Sequence, residues 1–257
     1  MVNKFDIKKL SKVFDDLEIQ QGDKLLVNSN TLNLLINNKK SLSPELIIDL
    51  LIKKISPEGT LIFPTYNWDF CDLGVFDCNK VNSLMGALSN LSLKRKDFVR
   101  SKNPIFSFSI FGKDKVHISN LSHNICFGMD SPFGYLIKNN GKNLFIDLDY
   151  KESLTFVHVA EEVAKVNYRR NKTFSGIYID KNKIKKNVSY QMYVRDRSRV
   201  KSTIIDKKFD LKLMDKNALK KISIENFSFS LVDINVAYNL MLDDLKSKSG
   251  LIYPDLF

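Results

Sequence analysis

The sequence predicts an α/β protein, a three-layer α/β/α core with a smaller, more β-rich and basic C-terminal lobe. Two observations lead there. Between Lys24 and Pro64 a strand, a helix and a second strand follow one another with short connections, the order of a parallel α/β sheet. Beyond Gly176 long helical periods give way to short strand-and-turn stretches. One domain over residues 1–257 is expected, with the core in 1–175 and the lobe with a final helix in 176–257.

The elements can be justified in order. Residues 4–17 place Phe5, Leu10, Phe14 and Leu17 on one helical stripe. Gly22-Asp23 turns the chain into the strand Lys24–Asn28. Ser43-Pro44-Glu45 supplies a cap, a proline at the first helical position and an acid in the first turn, so a helix runs from there to about Ile55. Pro57-Glu58-Gly59 ends it, and Thr60–Pro64 reads as a buried strand. Thr65–Asn82 is a long loop whose Tyr66, Trp68 and Phe70 speak against disorder. A helix over Ser83–Leu93, strands over Ser107–Phe111 and Asn143–Leu148, and helices from Ser131 and over Leu154–Val166 follow. In the lobe, Gly176–Asp180 and Lys207–Met214 read as strands, and a last helix spans Val232–Leu245.

Composition bounds the function classes. The chain has 257 residues, 44% hydrophobic and 27% charged, enough for a sizeable core. The N-terminal stretch alternates charge with apolar residues and lacks the apolar centre of a secretory signal, and no run is long enough for a membrane helix. A cytoplasmic protein is expected, with homodimer formation left open. Cys71, Cys78 and Cys126 have neither zinc nor redox spacing and read as free thiols, so no metal is expected. The net charge is +11, and Lys165–Lys221 holds eighteen Lys or Arg against five Asp. Such a segment suits an anionic partner, or merely solvates a face.

Three histidines are candidate bases. His117 and His123 lie in a polar stretch that reads as exposed. His158 sits on a helix directly after a buried strand, with Glu161 three residues on and therefore on the same face. A carboxylate beside an imidazole fixes its tautomer and raises its basicity. Taken alone, the pair reads more readily as a core histidine with a structural partner.

Seven short motifs in order give this pair a context. They are Gly22-Asp23 with the strand Leu25–Ser29; Glu58-Gly59-Thr60-Leu61 with Phe63-Pro64-Thr65; and Phe76-Asp77 followed by Ser83–Leu88. Then come Arg100-Ser101 with Asn103-Pro104, Ser107-Phe108 with Gly112, Phe127-Gly128 with Ser131-Pro132, and Thr155 with His158-Val159-Ala160-Glu161. Together they resemble the aminoglycoside 3-N-acetyltransferase family over residues 1–176, and more loosely through the final helix.

The resemblance implies acetyl-CoA or another acyl-CoA as donor, direct attack of an amine on the thioester, His158 as general base and Glu161 as its polarising acid. Ser29, Asn30, Arg100, Ser101, Ser107 and Ser131 are the candidate donor-binding residues, with Ser107 and backbone N–H groups near Ser29 as oxyanion donors. Tyr66, Trp68, Asp69, Asn90 and Asn103 are the candidate acceptor-binding residues. Three amides depart from the family pattern: Asn28 and Asn103 stand where histidine is expected, and Asn90 where glutamate is. These changes, with the basic lobe, favour a nucleotide-linked amino sugar for glycan synthesis over a polycationic aminoglycoside. The alternatives are the antibiotic acetyltransferase itself, a non-catalytic acyl-CoA binder, and a nucleic-acid surface built on Tyr190, Tyr193 and Phe209 between cations.

Overall fold

The computed structural model describes residues 5–38 and 41–257. Its centre is a seven-stranded mixed sheet. In chain order the strands of the molecule are β1 Lys24–Ser29, β2 Thr60–Pro64, β3 Val75–Asp77, β4 Val99–Arg100, β5 Phe108–Gly112, β6 Lys142–Ile146, β7 Arg169–Ile179, β8 Lys185–Arg195, β9 Val200–Ile205, β10 Leu219–Ile224, β11 Phe227–Asp233 and β12 Ile252–Leu256. The central sheet runs β10-β11-β6-β1-β2-β5-β4. Only β6, β1 and β2 are mutually parallel; β5 and β11 flank them antiparallel.

Each central strand is apolar on both sides, as a sheet covered by helices requires. Leu25, Val27, Leu61, Phe63, Leu144 and Ile146 face one core, shared with the helices Ile7–Asp16 and Pro44–Ile55. Leu26, Ile62 and Phe145 face the other, shared with the helices Pro132–Lys138, Val157–Ala164 and Ile234–Ser247. This is the expected three-layer core. The helix ends follow the local chemistry. Asp6 accepts from the Lys8 and Lys9 amides at 3.0 and 2.9 Å, and Ser43 accepts from Leu46 N at 3.2 Å ahead of Pro44. The first helix was expected from Lys4, which lies outside the described residues, as do residues 1–3 of the N-terminal stretch.

Two smaller sheets, β3-β7-β8 and β9-β12, form the β-rich addition. Residues beyond 176 serve both parts, because β10 and β11 return to the edge of the central sheet. Lys207–Met214 is not a strand: Lys208–Asp215 is a helix. Phe209 and Leu213 are fully buried four residues apart, a helical spacing that outweighs the short alternation around them. The long loop Thr65–Asn82 contains a short helix, Asp69–Leu73, and β3. Tyr190, Tyr193 and Phe209 are buried, so they present no stacking platform to nucleic acid. None of the described helices is long and apolar enough to cross a membrane.

Candidate active site

A cavity of about 790 Å³ opens at the carboxyl ends of the three parallel strands. Ser29 and Asn30 lie at the end of β1, Pro64, Tyr66 and Trp68 follow β2, and the loop after β6 brings Lys151 to His158. The ends of β8 and β9 close the far wall with Arg195, Ser202 and Thr203. Such sheets gather functional groups at this edge because successive connections leave a crevice there.

His158 occupies the first turn of the helix Val157–Ala164 and keeps 24% of its side-chain surface open to the cavity. Its Nδ1 lies 2.6 Å from Oε2 of Glu161, one helical turn on. Glu161 is completely buried, and burial alone would raise its carboxyl. The facing His158, then Arg169 and the Thr203 hydroxyl, outweigh burial and hold it at about 2. Tyr168 Oη and Thr203 Oγ1 donate to Oε1 at 3.0 and 2.7 Å. Arg169 Nε lies 2.7 Å from Oε2, an ion pair in which the N–H is not aligned as a hydrogen bond.

An ionised carboxylate only accepts, so Nδ1 of His158 carries the proton and Nε2 is left with its lone pair. Burial pushes the imidazole below the ordinary histidine range; Glu161 opposes this, and the positive Arg169 and Arg195 add to the lowering. The ring is therefore neutral near pH 7, oriented, and able to take a proton. Phe127 packs against it at 5.1 Å between centroids.

The structure brings Ser29, Asn30, Tyr66, Trp68 and His158 together around the cavity, with Glu161 directly beneath. Other predicted residues do not reach the wall, and all but Asp69 satisfy nearby backbone instead. Ser101 Oγ accepts from Phe108 N at 2.9 Å, and Ser131 caps the helix Pro132–Lys138. Ser107, fully buried, bonds Thr65 and accepts from Arg100 Nε, which removes it as an oxyanion donor. Near Ser29, the Asn30 amide is donated to Ile146 O. Arg100 also donates to Val81 and Thr65 carbonyls while its guanidinium lies over Phe76, so it fastens the loop carrying Tyr66 and Trp68.

Asp69 is exposed at the start of a short helix outside the cavity. Asn90 folds back onto Ser83 and Gly86, shaping the turn whose Leu84–Gly86 line the cavity. Asn103 Oδ1 accepts from Ile105 N and Phe106 N, holding Phe106 in the wall. His117 is exposed as expected. His123 is not: it is buried, with Nδ1 3.0 Å from Ile125 O. Sequence reasoning missed Arg169, Arg195 and Arg197 as individual cavity residues, although it counted them within the basic segment.

The family model for aminoglycoside 3-N-acetyltransferase matches residues 38–245. The chain belongs to the aminoglycoside 3-N-acetyltransferase family. It is therefore an acetyltransferase. No curated protein matches this family member. Among solved structures it is similar to AAC-IIIb in a binary complex with CoASH, with TM-score 0.77, 17% identity, and 95% of this chain and 97% of that one covered. The aminoglycoside acetyltransferase AAC(3)-Xa gives TM-score 0.78 at 16% identity over 95% and 93% of the two chains. AAC-VIa bound to sisomicin gives TM-score 0.77 at 16% identity over 96% and 100%. These likenesses establish a shared acetyltransferase-family fold along nearly the whole chain.

Proposed function

We propose that this protein transfers an acetyl group from acetyl-CoA to an amine of an amino sugar, with His158 as general base. The observation that carries the reading is the His158–Glu161 pair at the cavity floor, its Nδ1 turned to a buried carboxylate. In the reaction Nε2 takes a proton from the amine as its nitrogen forms a bond to the thioester carbonyl carbon. The tetrahedral intermediate collapses with cleavage of the C–S bond. The proton held on His158 then passes to the departing coenzyme A thiolate, leaving an amide and free thiol. A positioned base contributes on the order of 10²–10⁴-fold, and the rest comes from holding the two substrates in contact.

For the donor, the complex of AAC-IIIb with CoASH supports coenzyme A. For the acceptor, the family description and the sisomicin complex of AAC-VIa support an aminoglycoside over the nucleotide-linked sugar expected from the amide replacements and the basic lobe. The aminoglycoside-type acceptor therefore stands first.

The test is acetyl transfer by the purified protein from acetyl-CoA, read by mass, to sisomicin and to nucleotide-linked amino sugars. Acetylated sisomicin is the expected product. Coenzyme A binding without acetylation of any amine would overturn the reading.

A further inference from the structure

We infer that Glu152 pairs with a second ammonium group of the acceptor while another of its amines faces His158, so that the site selects amino sugars bearing more than one amine. This rests on the acetyl-transfer reading and names what its acceptor site recognises.

Charge inside the cavity is the first argument. Lys151, Arg169, Arg195 and Arg197 line it, whereas Glu152 is the one carboxylate in its wall. Glu161 lies beneath His158 and is already shared between that ring and Arg169. An acceptor that brings several ammonium groups therefore meets a single anionic side chain in the wall. The arginines of the far wall repel its remaining cations, which leaves the side of Glu152 as the favourable orientation.

Availability is the second. Lys151, next in sequence, is turned to Asp210 at 3.6 Å, and adjacent residues of a helix do not face each other. No ion pair among the described residues uses Glu152, and no described donor reaches its carboxylate. The side chain is exposed, so pairing it with a ligand breaks no contact within the protein.

Placement is the third. Glu152 belongs to the helical turn Tyr150–Ser153, on the same connection after β6 that carries His158. That turn is fixed at both ends. Asp149 Oδ1 accepts from Lys151 N at 3.0 Å, and Ser153 O accepts from Thr155 N at 2.9 Å and from Asn28 Nδ2 at 3.2 Å. Between them the Tyr150 ring is buried and its hydroxyl donates to Asp210. An anchor carried on a fixed turn beside the base decides which amine of a polyamine reaches Nε2.

The test is calorimetric titration of sisomicin, glucosamine and coenzyme A into the unaltered protein, Glu152→Gln and Glu152→Asp. Glucosamine has a single amine and offers no second ammonium. Glu152 is exposed and holds no other side chain, so neither variant threatens the fold. The expected result is tighter binding of sisomicin than of glucosamine, a preference cut about fivefold by Glu152→Gln and mostly kept by Glu152→Asp. An unchanged preference in Glu152→Gln overturns the inference, as does an equal loss for both amines. A loss confined to coenzyme A also overturns it and assigns the carboxylate to the donor. Sisomicin binding that depends on Glu152 but leads to no acetyl transfer would instead defeat the acetyl-transfer reading and leave the ammonium site standing.

Discussion

One buried carboxylate oxygen faces two nitrogens: Oε2 of Glu161 lies 2.6 Å from Nδ1 of His158 and 2.7 Å from Nε of Arg169. The arrangement orients the imidazole while withholding a proton from it. Arg169 already neutralises much of the Glu161 charge, so the carboxylate does not force His158 into its charged form. Removing the ring removes the proposed base. His158→Ala is expected to lower kcat for acetyl transfer by about 10²–10⁴-fold in protein that circular dichroism shows to be folded. Retention of more than about a tenth of the activity would exclude the residue as base.

The same electrostatics set the pH dependence. Because burial and two arginines lower the His158 pKa, the neutral ring persists to more acid pH than an ordinary histidine. The acid limb of kcat/KM attributed to this base should lie below pH 6.5, the unperturbed value, with no loss from it between pH 7 and 8. For stability, the unfolded chain binds this proton more readily, so the contribution of neutral His158 is lost as pH falls through 6.5 toward the folded value. An acid limb at or above pH 6.5 would contradict this account.

Local punctuation made the first half of the fold readable. Ser43-Pro44 and Pro57–Gly59 bracket one helix, and the apolar runs of β1 and β2 declare buried parallel strands. The lobe was harder, since most core-facing side chains of β7 and β8, among them Phe174, Tyr178 and Val188, are only half-buried and are interleaved with polar residues. The contact of His158 with Glu161 was legible because their spacing is local, but their roles as base and polarising acid came only from the family resemblance. Arg195 joins them only through its register with Arg169, which no sequence window contains. Conversely Ser107 and Asn103 were candidate site residues because they stand in the family's motifs, yet both side chains satisfy buried backbone.

Glu161→Gln tests the pair as a unit. The amide oxygen still accepts from Nδ1, but Arg169 loses its counterion while only 8% exposed. Breaking one side of such a buried pair costs about 3–5 kcal/mol, readable as a lower urea midpoint. Because Glu161 holds its carboxyl at about 2 when folded against 4.5 unfolded, its contribution is full above pH 4.5 and lost as pH falls toward 2; the variant should lack that acid-dependent component. Its acid limb in kcat/KM should also move further acid, since the remaining charges near His158 are positive. An unchanged urea midpoint would show that Arg169 does not depend on the carboxylate.

Tyr66 offers a test in which stability and activity move apart. Its ring packs edge-on against Phe106 and Phe108 at 4.9 and 5.4 Å, while its hydroxyl, in the cavity wall, makes no hydrogen bond of good geometry among the described residues. Burial raises its pKa, so it remains a protonated donor. Tyr66→Phe keeps the packing and deletes a buried polar atom, so the unfolding free energy should be unchanged or slightly higher. If the hydroxyl meets the substrate or the developing oxyanion, kcat/KM falls by up to about tenfold, the worth of one neutral hydrogen bond. Unchanged kinetics with raised stability would mean that the hydroxyl meets neither, and Tyr66 would then belong to the core rather than to the site.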